Sequence, residues 1–250
     1  MGSDHQHSPA NERPAHQVAI SAFCLDQREV TVARYKACAD AGKCREAPVG
    51  VAWQGITKKE RILFGATCNA QYKDRAEHPL NCVDWNLAES FCKASAGRLP
   101  SEAEWEFAAR GPSVTRHPWG DAPPDPTLLN ACDMSCKRWG QRNDIPVRAL
   151  FEELDNWPTT APVGSFGAER SRLNLDDLSG NVREWTADWY GPYPAERQAD
   201  PRGAAGGERR VVRGGAWISG EVSELSRTFR TAEVPAVRRH DLGFRCAYPL

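Results

Sequence analysis

The stretch GRLPSEAEWEFAARG, Gly97 to Gly111, carries the clearest local structural signal in the chain. Ser101 stands where a helix N-cap is expected, and Glu104 follows three residues later, which is the spacing of a capping box. The final glycine is a typical helix terminator. One face of this helix is apolar and is expected to be buried; it is formed by Trp105, Ala108 and Ala109. The stretch therefore predicts one well-defined helix packed on a core.

Working outward, the rest of the chain predicts short strands, capped helices and long loops. Residues 17–26, QVAISAFCLD, alternate apolar and polar side chains and predict a strand. Thr31 and Asp84 each stand at the predicted start of a helix. Residues 45–81 predict a long surface excursion, and residues 112–175 predict a loop that needs an ion or a covalent bridge to hold it. The last third alternates short β-prone runs with turns.

Composition excludes two function classes. A net charge of −1 gives no electrostatic footprint for nucleic acid. No apolar run approaches the roughly 20 residues that a membrane span needs. A chain of 250 residues can bury a sizeable core, and we expect one domain covering residues 1–250, with residues 1–15 as a flexible or truncated entry segment.

The cysteines favour disulfides over a metal site. None lies in a C-x-x-C pair, and the histidines are too scattered for a zinc knuckle. The odd number leaves at least one thiol free or joined to another chain. Disulfides indicate an extracytoplasmic protein. Because residues 1–15 lack the apolar core of a signal peptide, we expect the periplasm or cell surface if a leader has been removed, and the cytoplasm otherwise.

Two sets of oxygen-bearing residues have spacings suited to a hard cation. In LDDLSGNVREWTADWYG, residues 175–191, Asp177 and Glu184 flank a Gly180-Asn181 turn. Ca²⁺ takes about six to eight oxygens, many of them from backbone carbonyls. The spacing is not that of an EF-hand, so it leaves open whether this is an ion site or a plain turn. A weaker second set would join two loops, Asn130-Ala131 and Asp155-Asn156-Trp157.

A series of motifs in a fixed order resembles the formylglycine-generating enzyme (sulfatase-modifying factor) family. The motifs are RPAHQVAI, FCLDQREVT, HPLNCVDWNLAESFC, GRLPSEAEWEFAARG, HPWGD, TAPVGSF, LSGNVREWTADWY, RVVRGGAW and LGFRCA. They cover essentially the whole chain, and the set is far more specific than any single motif. The resemblance implies an α+β domain with low regular secondary structure, the family's variant of the C-type-lectin-like fold.

The resemblance also implies one or two structural Ca²⁺ ions and a disulfide. The first ion would be held by Asn130 and Asp155 with the carbonyls of Ala131 and Trp157. The second would be held by Asp177 and Glu184 with the carbonyls of Gly180 and Val182. The family disulfide would join Cys92 to Cys246, and we expect three further pairs: Cys38–Cys44, Cys68–Cys82 and Cys132–Cys136. The opening MGS is similar to the end of the family's entry motif, whose apolar strand is absent, so we expect a trimmed or mis-started chain.

In the oxidising members of that family, two cysteines after a Gly-Gly turn bind Cu(I). Here the turn is Gly214-Gly215-Ala216-Trp217, and the two cysteine positions fall on Ser219 and on or near Glu224. A hydroxyl and a carboxylate do not replace two thiolates around a soft Cu(I) ion. We therefore expect no copper, no formylglycine-generating oxidase activity and no catalytic residues.

The family's substrate groove crosses the same region. We expect a groove with two aromatic platforms and two cationic anchors, formed by Trp189, Trp217, Ser219, Glu224, Arg227 and Arg230. The alternative is a solvated face with weak ion pairs.

The sequence thus predicts a non-oxidising, calcium-stabilised pseudoenzyme that binds a protein, peptide or glycan ligand. One alternative is a divergent enzyme of the formylglycine-generating or sulfoxide-synthase-like type, acting on a cysteine-containing or other peptide. Another is a scaffold fused or complexed to a signalling protein.

Overall fold

The computed structural model describes residues 1–111, 115–167 and 173–250. Its α-helices are α1 (Val32–Asp40), α2 (Lys58–Gly65), α3 (Trp85–Ala94), α4 (Glu102–Arg110) and α5 (Met134–Arg142). Its strands are β1 (Val18–Ala19), β2 (Phe23–Leu25), β3 (Arg183–Trp189), β4 (Gln198–Ala199), β5 (Arg210–Arg213), β6 (Arg230–Glu233), β7 (Leu242–Gly243) and β8 (Ala247–Pro249). Within these ranges no helix has the length and apolar character that crossing a bilayer requires. The fold is α+β with short strands, as predicted.

A four-stranded sheet in the order β6-β5-β3-β7 lies at the centre. Strands β5 and β6 are antiparallel, β3 and β5 are antiparallel, and β3 and β7 are parallel. Glu184 of β3 stands opposite Arg213 of β5, which stands opposite Arg230 of β6. Three charged residues therefore form one row across the sheet. The remaining strands form two-stranded pairs, β1 with β4 and β2 with β8.

The helix starts predicted from the sequence are confirmed. The hydroxyl of Thr31 accepts from the Arg34 N–H, and Asp84 accepts from the Leu87 N–H. At α4, the Ser101 hydroxyl accepts from the Glu104 N–H at 3.2 Å, while the Glu104 carboxylate accepts from the Ser101 N–H at 2.7 Å. These reciprocal bonds satisfy backbone donors that the first helical turn leaves free.

Three sequence expectations are corrected by the structure. Residues 17–26 form two short strands instead of one. Residues 45–81 contain α2, which begins with its own capping box at Thr57 and Glu60, and residues 112–175 contain α5, capped by Asp133. Helix α2 is short and mostly polar, and α5 is a short helix within a Pro-, Asn- and Asp-rich stretch, so neither helix stood out from its surroundings in the sequence.

The largest core cluster lies between the central sheet and the pair α1 and α3. Tyr35 of α1 stacks on Phe91 of α3, with 5.2 Å between ring centroids. Trp185 of β3 is fully buried beneath them. On the other side Trp105, Ala108 and Ala109 of α4 pack against Leu175 and Leu178, which confirms the apolar face predicted for that helix.

Four disulfides hold the loops, and all four follow the predicted pairing. They are Cys38–Cys44, Cys68–Cys82, Cys92–Cys246 and Cys132–Cys136. Cys24 is the remaining thiol, and it is exposed. The Cys92–Cys246 bridge connects α3 to the residue that precedes β8. Four disulfides indicate an oxidising environment.

The entry segment, residues 1–15, which the sequence predicts to be flexible or truncated, makes hydrogen bonds to the rest of the domain. The Gly2 N–H donates to the buried carboxylate of Glu106 at 2.8 Å. Glu12 is buried and accepts from the Thr228 hydroxyl at 2.7 Å, and Asn11 exchanges two hydrogen bonds with Arg230. The segment's polar side chains find their partners in the body of the fold, a contact that local sequence does not indicate.

The Cys92–Cys246 bridge should contribute more to stability than the other bridges, because it closes the longest loop. Its cysteines are 154 residues apart, whereas Cys38 and Cys44 are 6 apart. In the chain-entropy description, the double variant Cys92→Ala/Cys246→Ala loses about 5 kcal/mol and Cys38→Ala/Cys44→Ala about 2 kcal/mol. Urea unfolding of both variants measures the difference; equal losses would contradict the assignment of Cys92–Cys246 as the main covalent tie.

Candidate functional site

Helix α4 places three glutamates in the interior of the protein. Glu102, Glu104 and Glu106 are each less than 5% exposed. Each carboxylate is neutralised by an arginine from outside the helix: Glu102 by Arg230, Glu104 by Arg98 and Glu106 by Arg213. The Glu102–Arg230 pair is bidentate, with both N···O distances 2.7 Å. Breaking such a buried pair leaves an uncompensated charge, so these contacts hold α4 against β5 and β6.

A fourth buried ion pair joins β3 to the C-terminal segment. Arg245 donates to both oxygens of Glu184 at 2.7 to 2.9 Å, and the Trp105 indole N–H donates to Glu184 at 2.9 Å. Both residues are at most 1% exposed. Burial opposes the charged form of Arg245, but the pairing with Glu184 outweighs it and raises the pKa of Arg245.

The second predicted calcium set lies around this ion pair. Asp177 is buried and accepts from the Gly164 N–H at 2.6 Å, and burial raises its pKa to about 6. Glu29, which sequence reasoning missed, bonds Asn181 and the Val182 N–H, and burial followed by Asp177 raises its pKa well above the usual range. Because Glu184 already receives donors from Arg245, the residues of this set fit a cation less well than those of the first. Calcium at this set stays a prediction.

The first predicted calcium set has buried oxygens that lack a donor. Asn130 Oδ1 and Asp155 Oδ2 are both buried and have no hydrogen-bond partner. The other oxygen of Asp155 accepts from the Trp157 N–H at 2.7 Å, and Asn130 Nδ2 donates to the Thr159 carbonyl at 2.9 Å. Unsatisfied buried oxygens are costly, and a hard cation is one way to satisfy them.

The electrostatics of this first set also suit a cation. Burial and the nearby Asp133 carboxylate together raise the pKa of Asp155 to about 8. A positive ion would offset both effects. In the described ranges no three His, Cys, Asp or Glu side chains form a metal cluster, so an ion here would depend on carbonyl and amide oxygens. Calcium at this set stays a prediction as well, and its residues fit.

The Gly-Gly turn after β5 is shaped by close backbone contacts. Gly214 has a φ of 79°, and a Cβ on Gly215 would lie 2.4 Å from the Ser179 carbonyl oxygen. Ser219 is buried, and its hydroxyl accepts from the Ala216 N–H at 3.1 Å. Glu224 accepts from the backbone N–H of Gly220 at 3.0 Å. The two positions that would carry copper ligands therefore stabilise the turn.

The chain's sulfur atoms supply no thiol pair at this turn. Eight of the nine cysteines are in disulfides, and Cys24 lies on the edge pair formed by β2 and β8. The Cys132–Cys136 bridge packs on Trp217 beside the turn, but both of its residues are fully buried.

The predicted groove residues do not form one surface. Trp217 is 0% exposed, between Trp139, His240 and the Cys132–Cys136 bridge, so the expectation of an aromatic platform there is wrong. Arg230 is 2% exposed and bound to Glu102, so it is not a free anchor. One face of Trp189 is covered by the Arg210 guanidinium, 3.5 Å from the ring centroid. The local sequence around a tryptophan that follows a Gly-Gly turn does not show whether its side chain is buried in the core or exposed on the surface.

Two cavities lie on this side of the molecule. A smaller one, about 160 Å³, is bordered by Trp189, Tyr193 and Arg230. A larger one, about 520 Å³, lies between the entry segment and residues 223–228, and it contains Arg227. The groove residues are thus divided among these two cavities, the turn and the core.

Sequence reasoning also missed Arg213 and Arg245 as structural residues. Each stands inside an apolar β-prone run, in RVVRGG and LGFRCA. A charged residue within such a run indicates either an edge position or a buried ion pair. Only the folded structure shows that Arg213 and Arg245 both form buried ion pairs.

The chain is similar to one family model and to several known proteins. A family model described as "Sulfatase-modifying factor enzyme 1-like domain" matches residues 1–250. The formylglycine-generating enzyme of Streptomyces coelicolor is 30% identical, over 94% of this chain and 81% of that protein. The mouse protein named inactive C-alpha-formylglycine-generating enzyme 2 is 28% identical, over 99% of this chain and 82% of that protein.

Two further similarities are to a hercynine oxygenase and to a solved structure. The hercynine oxygenase of Mycolicibacterium thermoresistibile is 29% identical, and the match covers 98% of this chain but 55% of that protein. The structure of PvdO from Pseudomonas aeruginosa superposes with a TM-score of 0.70 at 24% identity, covering 100% of this chain and 90% of that one. The last similarity supports the fold alone.

The Glu184–Arg245 pair should stabilise the fold without any metal. Glu184→Gln leaves Arg245 buried without a counter-charge and should cost about 3–5 kcal/mol, equally in calcium and in chelator. Asp40→Asn, at the exposed Lys36–Asp40 pair, is the control and should cost under about 0.5 kcal/mol. Denaturant unfolding in both buffers measures this. A loss seen only with calcium would show that Glu184 acts chiefly as an ion ligand.

Proposed function

Because this chain belongs to the sulfatase-modifying factor enzyme 1-like family, we propose that it is a non-oxidising, calcium-stabilised binding module of that family. The observation that carries the proposal is the state of its sulfur atoms: eight of nine cysteines are in disulfides, and Ser219 and Glu224 hold the turn where copper thiolates would stand. Cu(I) needs soft ligands, and one exposed thiol does not supply a pair. The family includes a relative named inactive, which supports a role without oxidation.

Calcium would act as a structural ion at the first set. Asn130 and Asp155 would supply side-chain oxygens, and Ala131 and Trp157 would supply carbonyls. The unsatisfied oxygens of Asn130 and Asp155 support this choice. An ion there would join the loop before α5 to the loop near Trp157, and it would balance the carboxylates of Asp133 and Asp155.

The ligand would bind on the side of the molecule that carries the two cavities. The larger cavity has a volume typical of ligand sites, and its lining includes both polar and apolar surface. We take the ligand to be a protein, peptide or glycan that places one group there. Four disulfides support placing the module in an extracytoplasmic compartment, the periplasm or cell surface.

The proposal predicts that the purified protein neither binds Cu(I) stoichiometrically nor consumes O₂ with a cysteine-containing peptide. A Cu(I) competition titration and an oxygen electrode measure the two quantities. The Streptomyces coelicolor formylglycine-generating enzyme, assayed in parallel, is the positive control. One bound Cu(I) per chain together with peptide turnover would overturn the proposal in favour of a divergent enzyme.

The calcium part predicts that Ca²⁺ raises the melting temperature by roughly 5–10 °C at a hundred times its Kd. Asp155→Asn should abolish this rise and should be no less stable than the parent in chelator, because burial disfavours the charged form of Asp155 when no ion is bound. Asp177→Asn is the matched control, since it alters only the second set. A Ca²⁺ response that survives Asp155→Asn but disappears in Asp177→Asn would move the ion to the second set.

A further inference from the structure

The larger cavity is formed where the entry segment crosses residues 223–228. Side chains of Ser3, Ser8, Ser223, Ser226 and Thr228 give its wall a row of hydroxyls. Its volume of about 520 Å³ accommodates a small polar group with its water. One residue of this wall is a buried cation.

That cation is Arg227, which is 8% exposed. Its Nε and Nη1 atoms are buried without a hydrogen-bond partner, and its guanidinium makes no ion pair with any described residue. Its backbone, by contrast, is fully engaged: its N–H donates to the Arg116 carbonyl, and its carbonyl accepts from Arg213. The fold thus fixes the position of Arg227 and leaves its side chain in the cavity wall without an ion pair, although Glu106 and Asp121 act on it from a greater distance.

The other buried arginines show how unusual this is. Arg213, Arg230 and Arg245 are each 2% exposed or less, and each is paired with a glutamate at 2.7 to 2.8 Å. A buried charge without a partner is strongly destabilising. Burial, and then the nearby Arg110, lower the pKa of Arg227 to about 10, so its guanidinium remains charged at neutral pH.

The two carboxylates of the cavity do not neutralise Arg227. Glu12 accepts from the Thr228 hydroxyl at 2.7 Å, and Asp121 accepts from the Arg116 N–H at 2.8 Å. Burial raises the pKa of Glu12. Arg116, exposed at the rim, adds a second positive side chain.

We propose that Arg227 is the anchor of an oxyanion-binding subsite in this cavity, which takes a carboxylate or phosphate group of the ligand. A guanidinium donates two parallel hydrogen bonds to such a group, and the surrounding hydroxyls donate to its remaining oxygens. This deepens the proposed binding function and rests on it for the rest of the ligand. The oxyanion contact itself rests only on the unpaired Arg227.

The test uses inorganic phosphate and acetate as probes of the purified protein, at ionic strength matched with sodium chloride. We expect one or both to raise the melting temperature by roughly 5–10 °C at a hundred times the Kd. Calorimetric titration should give saturable binding of one anion per chain. A response to phosphate alone indicates a tetrahedral ligand group, and a response to acetate indicates a carboxylate.

Two variants separate this role from a structural one. Arg227→Met should abolish the specific anion response and melt no lower than the parent in chloride, because the lost charge had no partner. Arg230→Met is the matched control; it should melt well below the parent, since it strands Glu102. Arg227→Lys should keep a weaker response.

The proposal is overturned if neither anion binds, or if Arg227→Met responds as the parent does, which is the general salting effect of phosphate. It is also overturned if Arg227→Met is destabilised as strongly as Arg230→Met. None of these results affects the copper titration, so the subsite and the non-oxidising module fail independently.

Discussion

The fold depends on the neutralisation of three carboxylates that helix α4 carries into the interior. Glu102 and Glu106 are four residues apart and lie on one face of the helix, and Glu104 lies on another, so their arginines come from different parts of the chain. Arg213 on β5 and Arg230 on β6 stand side by side in the sheet; Arg230 pairs with Glu102, and Arg213 pairs with Glu106 and lies 3.5 Å from Glu102. These ion pairs hold the helix, the two strands and the entry segment in fixed positions relative to one another. Loss of any of the arginines leaves a buried carboxylate without its partner.

This arrangement also explains why Arg227 stands apart. It lies in the same segment as Arg213 and Arg230, but those two residues already occupy the interior carboxylates of Glu102 and Glu106. The turn before it is fixed by Gly214 and Gly215, and Ser219 and Glu224 close that turn through backbone hydrogen bonds. The segment that would carry redox chemistry in a copper oxidase is here a rigid support. Arg227, a charged residue of this segment whose Nε and Nη1 atoms have no hydrogen-bond partner, lines the larger cavity, and this position suits ligand binding.

Much of the fold could be predicted because its signals are local. The capping box of Ser101 and Glu104 is a property of four residues, and the family resemblance implied the Cys92–Cys246 disulfide. The site was harder to predict, because burial depends on distant residues. Trp217 is core since α5 and the Cys132–Cys136 bridge cover it, and the entry segment is ordered since Glu12 meets Thr228. No local pattern separates Arg230, which is paired, from Arg227, which is not.

The central claim is that this family fold is kept by ion pairs and disulfides while it lacks the thiol pair of an oxidase. The most direct measurement is a thiol titration of the unreduced protein, native and denatured, with the reactive residues identified by mass spectrometry. The account predicts one reactive thiol, Cys24, in both states. Reaction of Cys132 and Cys136 as free thiols in the denatured, unreduced protein would contradict it, because two thiols would then stand beside the Trp217 turn in the fold.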